Sequence, residues 1–199
     1  MRPRLLTLLA GVLALGLLAG ACSDDSGSSS QAEPEPEEHL PPNDFDALAE
    51  MFDPQLEELG LRLTRGALVD TSEGYEVSDT GRHLALYVEP TGEYAAADYA
   101  DNIVTTARLF LPLVFERWDR LETFDVCQEP RPGEDDREEP PPVTQLFVSR
   151  PDSADVDWAN VTLPELVDAT TPTSSTFRLY VHPMLRSDPA YVEAAGQAS

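Results

Sequence analysis

Four stretches of the chain alternate apolar and polar residues as half-buried strands do, at 83–89, 123–128, 144–149 and 176–182. Leu84, Leu86, Val88, Phe124, Val126, Leu146, Val148, Phe177, Leu179 and Val181 then share one face of a sheet. Strand parity turns His83, Tyr87, Glu89, Asp125, Cys127, Glu129, Phe147, Arg178, Tyr180 and His182 to the other. That second set mixes aromatic rings with groups that titrate, unlike the short polar residues of a plainly solvated face. Tyr and His offer an apolar body with a polar tip, which suits recognition of a partner. Tyr87, Glu89, Glu129, Arg178, Tyr180 and His182 are therefore the candidate binding residues. Either this face is open, or the N-terminal helices or the C-terminal tail cover it.

An acid/base reaction can be drawn from the same set. Glu89 and Glu129 both end strands, and two carboxyls about 5–10 Å apart can act as acid and nucleophile on a glycan. The alternative function is thus a small envelope hydrolase using Glu89, Glu129 or His182. Other chemistry lacks its residues. All 13 basic residues are Arg, so the Walker A loop, the Ser-x-x-Lys dyad and Schiff-base mechanisms are excluded. Gly-x-Ser-x-Gly, His-Glu-x-x-His, Cys-x-x-Cys and Gly-x-Gly-x-x-Gly are absent. Asp70-x-Ser72-x-Gly74 and Asp152-x-x-Asp155-x-Asp157 both miss the EF-hand spacing. No catalytic residue, metal or cofactor is expected.

The elements that carry these residues follow from periodicity. Phe45, Leu48, Ala49 and Phe52 recur at helical spacing, Asp53-Pro54 interrupts them, and a second short helix is expected through Leu56 and Leu59 to Gly60. Residues 61–69 alternate as a strand, and 70–81 is turn-rich with a further short strand expected at 75–77. The longest element is a helix over about 94–121, with Ile103, Ala107, Phe110, Leu111, Val114, Trp118 and Leu121 on one side. Pro112 removes one amide from its ladder. A short covering helix is expected over 163–167, and the tail after Pro183 is weakly helical at best. The expected fold is α+β: a mostly antiparallel sheet with one long helix packed across a face, preceded by short N-terminal helices. A single domain over 44–199 and a monomer are expected.

The 199 residues carry 37 acidic against 13 basic side chains, a net charge of −24. Such a surface repels nucleic acid and anionic lipid. It suits a cationic partner, or serves as a general solubility or salt-tolerance adaptation.

Residues 1–21 have a basic start, an uncharged run from Leu5 to Gly20 and small residues at the end, the pattern of a secretory signal peptide. The apolar run is shorter than the roughly 20 residues a spanning helix needs. Leu18-Ala19-Gly20-Ala21-Cys22 resembles the lipobox of bacterial lipoproteins. The resemblance covers the leader alone. It implies cleavage before Cys22, lipidation of that thiol, palmitate in the anchor and a place on the extracytoplasmic face of the cell membrane. Residues 22–43 read as an acidic tether rich in Ser, Pro and Glu, about 25 Å long as a coil and about 65 Å fully extended. Lipidation consumes Cys22 and leaves Cys127 without an intrachain partner. A buried small apolar role is expected for Cys127, with an intermolecular disulfide or a nucleophile as the alternatives. The expected function is a non-catalytic binding or accessory module of the cell envelope, with an envelope protein or wall component as partner.

Overall fold

The computed structural model describes residues 40–70, 81–131, 133 and 141–197, all within one compact unit, Pro36–Ser199. The leader, most of the tether and the strand expected at 75–77 lie outside the described residues. Helix α1 (Phe45–Glu57) leads into strands β1 (Leu61–Val69) and β2 (His83–Pro90). Helix α2 (Ala96–Arg117) then carries the chain to β3 (Thr123–Gln128), followed by β4 (Thr144–Ser149). Short helices α3 (Arg150–Ala154) and α4 (Leu163–Ala169) precede β5 (Phe177–Val181), and α5 (Pro183–Arg186) and α6 (Pro189–Ala194) close the chain.

The five strands lie in sequence order, β1-β2-β3-β4-β5. Three of the pairings are antiparallel and β2–β3 is parallel. The fold is therefore α+β with a mostly antiparallel, mixed sheet. The parallel pair follows from α2, since 22 helical residues return the chain to the end of the sheet where β2 began.

Three expectations need correction. Among the described residues only one helix precedes β1, because α1 runs unbroken through Pro54. Asp53 does not cap a second helix; its carboxylate accepts from the Leu63 amide at 2.9 Å and ties α1 to the start of β1. The long helix is Ala96–Arg117, shorter at both ends than expected. The C-terminal tail forms two helices, each begun by Pro and capped by the residue before it, His182 or Asp188. Gly60 does end the first helical segment, at a φ of 67° that an L side chain disfavours.

One apolar cluster holds the fold together. Leu48, Phe52 and Leu56 of α1 meet the α2 stripe and the sheet residues Leu84, Leu86, Phe124, Val126 and Val148. Phe52 stands edge-on to Phe110 at 5.1 Å and to Trp118 at 6.3 Å. Gly66 admits α1 to this face, since a Cβ there would lie 2.9 Å from Leu48 Cδ1 and 3.2 Å from Leu86 Cδ2. Arg150 closes the far end of α2: its guanidinium donates to the Phe115 and Leu121 carbonyls at 2.8 Å and to that of Trp118. The Phe115 carbonyl belongs to the last turn of α2, where partners within the helix run out, and the Trp118 carbonyl also accepts from the Leu121 amide at 3.1 Å. No helix among the described residues is long and apolar enough to cross a membrane.

Candidate functional site

Every described helix with a buried apolar side chain contributes it to that one cluster. Val69, Ala85, Cys127 and Phe147 are also buried but stand outside it, on the opposite face of the sheet. Neither α1 nor the C-terminal helices cover this second face with their apolar side chains. Leu48 and Phe52 pack on the α2 side, as do Leu185 and Tyr191.

A bulge in β1 organises the second face. The register shifts between Leu63 and Arg65, so Thr64 and Arg65 reach the same side although they are adjacent in sequence. The Thr64 hydroxyl donates to Glu129 Oε2 at 2.5 Å and Arg65 Nη2 to Glu129 Oε1 at 2.5 Å. The Arg65 guanidinium lies 4.0 Å above the Tyr87 ring. Glu89 is held separately by Arg62, whose Nε donates to it at 2.6 Å. Each strand-end carboxylate is thus bound to its own Arg. Arg178 lies 5.3 Å above the Phe147 ring, and Tyr87, Arg178 and Tyr180 are half-buried.

Beneath this layer the polar groups are deeply buried. His83 is 1% exposed and stacks beside Phe147, with ring centroids 5.5 Å apart. Its Nδ1 meets Thr123 Oγ1 at 2.9 Å and its Nε2 lies 3.7 Å from Asp125 Oδ2. Gln145 donates to that same carboxylate oxygen at 2.7 Å. The Cys127 thiol is pushed well above its ordinary pKa by burial, then by the Asp125 and Glu129 charges, against smaller opposing effects of Arg65 and of a hydrogen bond with Tyr87. Cys127 is a buried free thiol, as expected of a small apolar role. A thiol kept in its neutral form is a poor nucleophile.

His182 does not join Glu129. It lines an open cleft of about 460 Å³ at the carboxyl ends of β2, β3 and β5, and neither Glu89 nor Glu129 lines that cleft. The His182 Nδ1 accepts from the Met184 amide at 3.3 Å and so caps α5. Of the six candidate binding residues, Tyr87, Glu89, Glu129, Arg178 and Tyr180 lie on the second face, and His182 at the end of the sheet. Sequence reasoning missed Thr64 and Arg65, because strict alternation assigns them to opposite faces. Their only signal is the break in that alternation at Leu63-Thr64-Arg65-Gly66. No group of three or more His, Cys, Asp or Glu able to hold a metal ion occurs among the described residues. Comparison with family models, with curated proteins and with solved structures returned no match.

Proposed function

We propose that the chain is a lipid-anchored lipoprotein of the extracytoplasmic membrane face, whose folded part binds an envelope protein or a wall component without chemistry of its own. The observation that carries this reading is the second sheet face, on which Arg65, Tyr87, Arg178 and Tyr180 form a shallow aromatic and guanidinium surface. Tyr and Arg are the side chains that most often anchor protein contacts. The ion pairs favour binding over hydrolysis. A general acid and a nucleophile must converge on one bond, whereas Glu89 and Glu129 are each engaged by a different Arg.

Residues 18–22 supply the other half of the proposal. Two acyl chains on Cys22 would fix the protein stably to the membrane, where a single chain binds only marginally. The tether would lift the domain clear of the lipid headgroups. The acidic charge disfavours nucleic acid as a partner, and the folded unit acts as a monomer.

Metabolic labelling with palmitate tests the anchor: wild type takes up label and partitions with membranes, and Cys22→Ser does neither. An unlabelled wild type removes this half of the proposal. Recovery of envelope components with wild type and with Tyr87→Ala/Tyr180→Ala tests the face. Loss of two aromatic anchors from a real contact costs about 2 kcal/mol or more, so the double variant should lose at least one partner. Equal recovery of every component overturns the second face as the binding surface.

A further inference from the structure

We infer that the cleft at the end of the sheet is a second binding site, which takes an extended basic peptide segment with an apolar side chain. This inference rests on the reading of the chain as an envelope binding module, and names a site and a ligand class for it.

The cleft opens at the carboxyl ends of the parallel pair β2 and β3, beside the start of α2, where the chain leaves β2 for the crossover helix. Tyr94, Tyr99, Val143 and Leu185 line it, with Pro130 and Pro141 as rigid walls. The two Tyr rings meet edge to face, with centroids 4.9 Å apart. Met184 stands at the rim with 80% of its surface exposed, the most exposed large apolar side chain among the described residues. An unbranched thioether at a rim suits contact with peptide side chains of varied shape.

Two polar features set the ligand's chemistry. The Tyr94 hydroxyl oxygen is buried and makes no hydrogen bond, although Tyr99 beside it donates to the Glu129 carbonyl at 3.4 Å. Burial, the nearby Asp98, Tyr99 and Asp101 hold the Tyr94 phenol protonated far into the alkaline range. It is therefore an O–H donor without an acceptor, covered in the free protein, and a peptide carbonyl accepts from it once the side chains above it part. The second feature is charge. Among the described residues the lining includes Asp188 and His182 and no Arg, and the Asp98 and Asp101 charges act on Tyr94. One Asp188 oxygen caps α6 by accepting from Ala190 N at 2.9 Å, which leaves a carboxylate fixed at the edge of the cleft. A Lys or Arg next to the seated side chain complements it, and a peptide carrying carboxylates is repelled.

The test uses the full lipidated chain in detergent, with the hexapeptide amide acetyl-Leu-Arg-Leu-Arg-Leu-Arg and its Leu-Glu counterpart as probes. The basic peptide should bind and the acidic one should not. Tyr94→Phe should weaken binding about fivefold, as for one lost hydrogen bond, while leaving the free protein as stable as wild type or more so. A merely structural hydroxyl would leave binding unchanged. Asp188→Asn keeps a capping side chain and removes the charge, and should weaken binding threefold or more. Glu116→Gln removes an exposed charge at the other end of α2 and should have no effect. The inference is overturned if the basic peptide does not bind, if Tyr94→Phe binds it as wild type does, or if Glu116→Gln and Asp188→Asn weaken it equally. Tighter binding of a neutral wall glycan with the same dependence on Tyr94 overturns the peptide assignment. None of these failures alters envelope recovery through Tyr87 and Tyr180, so the two readings fall separately.

Discussion

The two faces of this sheet use the same alternation to opposite ends. On the α2 side, side chains of equal character meet across the gap, and the cluster excludes both water and charge. On the other side, a thin layer of buried residues lies under Arg, Tyr and carboxylate groups that pair with one another within the sheet. The first arrangement obtains its stability from area removed from water. The second obtains little, since half-exposed ion pairs and ring contacts each contribute on the order of 0.5–1 kcal/mol. A surface that contributes little to folding is free to be used for something else.

That contrast predicts a graded series of stabilities. Phe124→Ala, on the α2 side, should cost about 3–5 kcal/mol in denaturant unfolding, through lost transfer energy and the cavity left beside Phe110. Gly66→Ala should cost about 1–3 kcal/mol by pressing Leu48 away from β1. On the second face, Glu129→Gln should cost about 1 kcal/mol, because Arg65 is half-exposed and water replaces part of what is lost. Arg62→Gln should cost less than about 0.5 kcal/mol, and a cost there equal to that of Phe124→Ala would erase the distinction between the faces.

The buried thiol adds a pH test with a definite sign. Cys127 titrates higher in the folded protein than the value near 8.5 of an unfolded thiol. Its contribution is fully present below that value and is lost as the pH rises above it, because only the unfolded chain then ionises. Cys127→Ala should flatten the alkaline arm of the stability profile. Tyr94 and Tyr191, which are raised in the same direction, should keep the remaining slope.

How much of this was legible in the sequence depended on whether neighbours along the chain carried the signal. The strands 123–128 and 144–149 have the observed bounds, and both faces were correctly sorted, because period-two alternation is a local property. The parallel pairing of β2 with β3 was not legible, since alternation reads the same in either direction and only the path of α2 decides it. Nor was the continuity of α1: Asp53-Pro54 has the chemistry of a cap, but Leu63, distant in sequence, claims the carboxylate. The tail helices are too short to show a period, and Leu185 and Tyr191 find their place only against the finished core. For the site, parity supplied Tyr87, Glu89, Glu129, Arg178 and Tyr180, while the bulge that aims Thr64 and Arg65 broke the pattern used to find them. The cleft gathers residues from four separate segments and left no trace in any of them.

Hydroxyl-radical footprinting of the lipidated chain, purified and on intact cells, measures the contrast between the faces directly. Tyr87 and Tyr180 should be modified in the purified protein and protected on cells, with Phe110 and Phe124 unmodified in both. Tyr87 and Tyr180 as unreactive as Phe124 in the purified protein, or equally reactive in both settings, would contradict a second face held open for an envelope partner.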